Sequence, residues 1–182
     1  MSARRSSFPL SSILLVFLLW GCDGNEDLHK AAMDGDKEKV VSLIEQGIEV
    51  DLKNNYRWTP LMHAARGGSL ETVRYLLGKG ADVSLTDDGG WSALTRASAK
   101  GHTEIVRELI KAGAPLDPKT NKGFTPLLWA ALMEHAEIVK LLIEAGADAQ
   151  ARAEDGRTAF MIAVTENHND VLQVLQAAGV KP

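Results

Sequence analysis

The stretch Trp58-Thr59-Pro60-Leu61-Met62-His63-Ala64-Ala65 returns as Trp91-Ser92-Ala93-Leu94, as Phe124-Thr125-Pro126-Leu127 and as Arg157-Thr158-Ala159-Phe160. Its first positions are 58, 91, 124 and 157, so the step is 33 residues each time. A fixed period in this range marks a stacked array, in which one unit cannot bury its apolar face alone and its neighbours supply the core. Each unit opens on a short helix. Thr59 and Thr125 can cap it with a hydroxyl, and Pro60 and Pro126 occupy its first turn, where no amide hydrogen is needed. The small residues Ala64-Ala65, Ala97-Ser98, Ala130-Ala131 and Ala163-Val164 let neighbouring helices approach closely.

A turn and a second helix follow, with apolar residues at helical spacing such as Ile105, Val106, Leu109 and Ile110. Gly47, Gly80, Gly113, Gly146 and Gly179 are placed to stop that helix in a left-handed residue. Extended stretches then reach turns at Gly89-Gly90, Lys122-Gly123 and Asp155-Gly156, which predicts hairpin-like fingers. The second unit has Arg57 where the others have Gly90, Gly123 and Gly156, so that turn is expected to be strained or differently shaped.

The chain has 182 residues, one cysteine and a formal charge of -4. Mild acidity without a lysine/arginine block argues against nucleic acid. A single cysteine cannot form an internal disulfide.

The first residues have a different composition. Arg4-Arg5 precedes the apolar run Ile13-Leu14-Leu15-Val16-Phe17-Leu18-Leu19-Trp20, which leads to Gly21-Cys22. This is the plan of a secretory signal peptide over 1–21. The run is far shorter than the roughly 20 apolar residues that span a bilayer. Leu19-Trp20-Gly21-Cys22 resembles a bacterial lipobox, although Trp20 is bulkier than usual there. The resemblance implies lipidation at Cys22 and a membrane contact through the lipid anchor, ahead of a tether at 22–25. The alternative is a plain signal peptide or uncleaved anchor with an incidental cysteine. Asp23 resembles the retention signal of inner-membrane lipoproteins. The expected location is the cell envelope, facing the periplasm.

The units are expected at 26–55, 56–88, 89–121, 122–154 and 155–182, the first and last as caps. Thr-Pro-Leu, the Ala-Ala pair, Gly101-His102, the Val-x-x-Leu-Leu type second helix, and Gly-Ala-Asp at 80–82 and 146–148 together resemble the ankyrin repeat. The resemblance covers roughly 26–181. It implies an all-α solenoid of about five 33-residue helix-turn-helix-finger units, with fingers and first helices lining a concave face where protein partners dock.

Chemistry is harder to find. His102, His135 and His168 recur at one repeat position and form a ladder stepped by a helix-packing distance, whereas zinc ligands must converge at about 2 Å. They are expected to bond the turns between units. His29 also looks structural. His63 is offset by one position and is the histidine kept as a functional candidate. No phosphate-binding loop, zinc-protease helix or nucleophile elbow is present. No catalysis and no cofactor are expected.

The surface remains. The residue before each Thr-Pro position is Trp58, Trp91, Phe124 or Arg157, with Tyr56 and Trp129 nearby. Arg66, Lys100 and Leu132 fall near the ends of the first helices. Tryptophan, tyrosine and arginine favour interfaces because they bring large contact area. Two readings of the rings stay open: contact with a partner, or packing on the next finger. These nine residues are the expected partner-binding set, for an unidentified protein partner with acidic patches and a monomeric chain. An immunity-type inhibitor of a periplasm-delivered toxin and a structural spacer are the alternatives.

Overall fold

A computed structural model describes residues 24–181. The expected leader and Cys22 lie outside them. The described residues form ten helices and no strands. The first helices of the units are α1 (Gly24–Asp34), α3 (Pro60–Gly67), α5 (Ala93–Lys100), α7 (Pro126–Leu132) and α9 (Ala159–Thr165). The second helices are α2 (Lys37–Glu45), α4 (Leu70–Gly78), α6 (Thr103–Lys111), α8 (Ala136–Glu144) and α10 (Asn169–Ala177). First helices pack in one layer and second helices in another, so the molecule is the expected all-α repeat solenoid. The tether expected at 22–25 is already helical from Gly24.

The repeated hydroxyls fix where the inner helices begin. Thr59, Ser92, Thr125 and Thr158 accept from the backbone N–H groups of Met62, Thr95, Leu128 and Met161 at 3.1–3.3 Å. Each satisfies an amide that the first turn would leave orphaned. The alanine pairs are buried and set the close spacing of the inner layer. A side chain on Gly67 would collide with the carbonyl oxygen of Met33 in the preceding unit.

The same column of each turn tells where the repeat strains. Gly35, Gly68 and Gly101 take φ of 75–82°, and Glu134 and Asn167 adopt 62° and 61° at the equivalent positions. Arg57 likewise stands at φ 59°, beside 72–82° at Gly90, Gly123 and Gly156. The Arg57 turn is thus strained rather than differently shaped, because the stack demands the same finger from every unit. A left-handed residue with a Cβ costs about 1–2 kcal/mol.

The fingers are closed by short hydrogen bonds, Asn54 N–H to Trp58 O, Asp87 to Trp91, Thr120 to Phe124 and Ala153 to Arg157, at 3.0–3.1 Å. Successive fingers are joined by Asn121 N–H to Gly89 O and Glu154 N–H to Lys122 O. At the far end, Met161 and Val164 are exposed at columns that the next unit covers everywhere else. No helix of the described residues is long and apolar enough to cross a membrane.

Candidate functional site: a cation–aromatic line along the concave face

Two columns of side chains meet between the fingers and the first helices. The finger column is Trp58, Trp91, Phe124 and Arg157. The helix column, read by the same 33-residue step, is His63, Arg96, Trp129 and Ile162. All but Ile162 interleave into one continuous stack. His29 lies 5.1 Å from His63, and His63 lies 4.8 Å from Trp58. The guanidinium carbon of Arg96 sits 3.3 Å over the Trp58 ring and 5.5 Å from Trp91. Trp91 then contacts Trp129 at 4.6 Å, Trp129 contacts Phe124 at 5.0 Å, and Arg157 closes the line 5.6 Å from Phe124. Tilted rings at these separations and cations over ring faces are both attractive geometries.

Arg96 is the residue that the sequence reading passes over. It is only 7% exposed. Its charge is met by an ion pair to Asp87, itself buried. Burial pulls the guanidinium down to about 10, against which Asp87 holds it up, so it stays charged at neutral pH. The other oxygen of Asp87 accepts from Gly89 N–H at 2.8 Å and Trp91 N–H at 2.9 Å, which shapes the finger turn. One carboxylate therefore ties the finger to the helix and fixes Arg96 and Trp91 relative to each other.

The preceding unit repeats this device in neutral form. Asn54 Oδ1 accepts from Tyr56 N–H and Trp58 N–H, both at 3.0 Å. Its amide nitrogen must then donate to His63 Nε2, at 3.3 Å. That places the His63 proton on Nδ1, which is buried without a partner. Burial first, then the nearby His29, Arg96 and Arg66, lower the His63 pKa to about 4. Protonation would also remove the acceptor that Asn54 uses. His63 is thus a structural member of the stack.

The histidine ladder is structural as expected. His102 donates through Nε2 to Arg66 O at 3.1 Å, and His168 through Nδ1 to Ala131 O at 2.9 Å. His135 bonds the Ala99 backbone. His168 uses its other nitrogen and an earlier carbonyl where Glu134 replaces the glycine on which the rings of His102 and His135 rest.

Five of the nine expected contact residues line one open cleft of about 360 Å³: Trp58, Arg66, Trp91, Lys100 and Trp129, joined by Arg96, Ala99 and Met133. Phe124, Leu132 and Arg157 share a neighbouring cleft of about 320 Å³ with Trp129, Lys122, Glu154 and Asp155. Phe124 is a correction to the expected surface. It is 4% exposed, because Trp129 and Arg157 cover its ring, so it supports the line from beneath. Arg157 is turned to Asp155 at 2.7 Å. Tyr56 stands apart on its finger, 72% exposed. The rings pack on one another, and half-buried Trp58, Trp91 and Trp129 also border the open cleft.

Comparison with known proteins agrees with this architecture. A family model described as ankyrin repeats (3 copies) matches residues 12–87, 28–120, 79–153 and 115–182. Two curated relatives are 49% identical over 41 residues, which is 22% of this chain. Both are called ankyrin repeat, SAM and basic leucine zipper domain-containing protein 1, from Oryctolagus cuniculus and Atelerix albiventris. The matched stretch spans 9% of the length of those relatives. The period, the helix pairs, the fingers and the family match converge, and the chain belongs to the ankyrin-repeat family.

Proposed function

We propose that this ankyrin-repeat chain is a non-catalytic, envelope-located binding module that engages a protein partner through the cation–aromatic cleft of its concave face. Ankyrin repeats indicate protein–protein interaction at the coarse level. The observation that carries the finer reading is the cleft itself. Three tryptophans, exposed Arg66 and Lys100, and Met133, 44% exposed, gather on one side of the solenoid. Interfaces are enriched in tryptophan, methionine and arginine, and their cores need anchors already held in place. The stack supplies that preorganisation, so little side-chain freedom is lost on docking.

Anchoring is the second part of the proposal. Arg4-Arg5, the apolar run at 13–20 and a lone cysteine at position 22 support a lipid-anchored chain facing the periplasm, with Asp23 favouring the inner membrane. Several acyl chains would hold it stably, at about 0.8 kcal/mol per buried methylene.

Two experiments test these parts separately. Mass measurement of the mature N-terminus is expected to show cleavage before Cys22 and added acyl mass, both lost in Cys22→Ser. An unmodified Cys22 removes the anchor and leaves the cleft. For the cleft, capture from the envelope fraction compares the intact chain with Arg66→Ala/Lys100→Ala/Met133→Ala, all exposed positions. One partner lost with the variant supports the interface, and an unchanged set overturns it.

A further inference from the structure

The charges around the cleft are unevenly matched. Arg96 is neutralised by Asp87, but Arg66 and Lys100 have no carboxylate partner among the described residues, and no acid lines the cleft. This positive spot lies on a chain whose net charge is -4. The adjoining cleft, by contrast, is charge-balanced, with Lys122 and Arg157 beside Glu154 and Asp155. Arg66 is held in place, its guanidinium carbon 5.3 Å from the Trp58 ring centre. The tilted Trp91–Trp129 pair supplies an apolar wall beside these cations.

Resting on the concave-face reading above, we propose that this cleft receives one aspartate or glutamate side chain of an extended peptide segment. The carboxylate lies between Arg66 and Lys100, and an apolar residue next to it in the peptide lies against Trp91 and Trp129. A volume of about 360 Å³ suits one or two side chains. A polyanion such as RNA fits poorly, since its affinity comes from many neutralised phosphates. Two unpaired cations cannot supply that. The cations give orientation and specificity, and the ring wall gives contact area.

The test uses the full chain and a phage-displayed library of random linear peptides, followed by synthetic capped peptides of the enriched sequences. Three of the four tryptophans border the cleft, so intrinsic fluorescence reports binding. Enrichment of an acid beside an apolar or aromatic residue is expected. Replacing that acid by its amide, or making Arg66→Gln/Lys100→Gln, is expected to weaken binding at least ~10-fold. The two losses should not add when combined, as for groups in contact. Raising the salt concentration should also weaken binding. Peptides blocked by Met133→Trp but indifferent to Arg66→Gln/Lys100→Gln would overturn the acid-receptor claim while leaving the concave interface standing. Peptides indifferent to both variants, or no enrichment at all, would remove both. Single-stranded oligonucleotides that bind with the same charge dependence would overturn the peptide assignment.

Discussion

Units two and three and units four and five share one backbone, yet they fill the space between finger and first helix in opposite ways. In the earlier pair the space holds a hydrogen-bonded couple, Asn54 with His63 and Asp87 with Arg96. In the later pair the same positions are Thr120 with Trp129 and Ala153 with Ile162. The polar half orders its fingers through side chains that also reach the helix. The apolar half relies on packing, with Thr120 Oγ1 and Asp155 Oδ1 reaching only their own turns, at Phe124 N–H 3.2 Å and Arg157 N–H 3.0 Å away. The change of chemistry falls where Trp91 meets Trp129, which is also where the cleft opens. A repeat fixes backbone geometry and leaves the interior of the groove free to vary, and here the variation builds the site.

The largest expected effect breaks the polar half. Asp87→Ala leaves Arg96 buried and unpaired and frees two turn amides, a loss of about 3–5 kcal/mol by analogy with other broken buried pairs. Thr120→Ala, at the equivalent position of the apolar half, should cost only about 1 kcal/mol. Urea unfolding monitored by circular dichroism compares them, and equal losses would erase the distinction. Asp87→Asn/Arg96→His transplants the couple of unit two into unit three and is expected to recover most of the stability lost in Asp87→Ala.

Acid titration sharpens the same contrast. An unfolded histidine takes a proton below about 6.5. Folded His63 stays neutral until about 4. The unfolded state therefore binds more protons in this window, so stability is complete above pH 6.5 and falls as the pH drops towards 4. Its contribution is about 2 kcal/mol once its partial exposure to solvent is allowed for. Burial lowers the pKa of His29 too, which adds in the same direction. His63→Leu should flatten the pH dependence of the melting temperature between pH 7 and 4.5, and an unchanged slope would assign the acid sensitivity elsewhere.

The smallest effects concern the strained turns. Arg57→Gly in the polar half and Glu134→Gly in the apolar half should each stabilise by about 0.5–1 kcal/mol, the relief of a left-handed Cβ less the added freedom of the unfolded chain. Asn167→Gly should gain less, since asparagine tolerates that conformation. Thermal melts of the three variants rank them.

Much of this molecule was legible in its sequence because the period repeats the evidence. The caps at 59, 92, 125 and 158, the helix stops and the strained turn at Arg57 are local features, set by a hydroxyl, a missing Cβ or a wrong residue. Trp58 and Trp91 were legible for the same reason, through their step of 33. Arg96 and the burial of Phe124 were not, because both depend on which side chain of one unit lies over the next. Asp87 drew no notice, because nothing local says that its second oxygen reaches a cation nine positions on. The column His63, Arg96, Trp129 held the signal, but only when set beside Trp58, Trp91 and Phe124. Glu134 hides in the same way, as its cost comes from a conformation that the stack imposes.

The central claim is that the concave cleft is the working surface. It is tested most directly by placing a photo-crosslinking side chain at Met133 in the cleft, and separately at exposed Lys111 on the outer helix layer, in the full chain in its native cells. The account predicts one discrete protein adduct from position 133, lost when Arg66→Gln/Lys100→Gln is added, and none from position 111. Adducts from position 111 alone, or a position-133 adduct that ignores the loss of both cations, would contradict it.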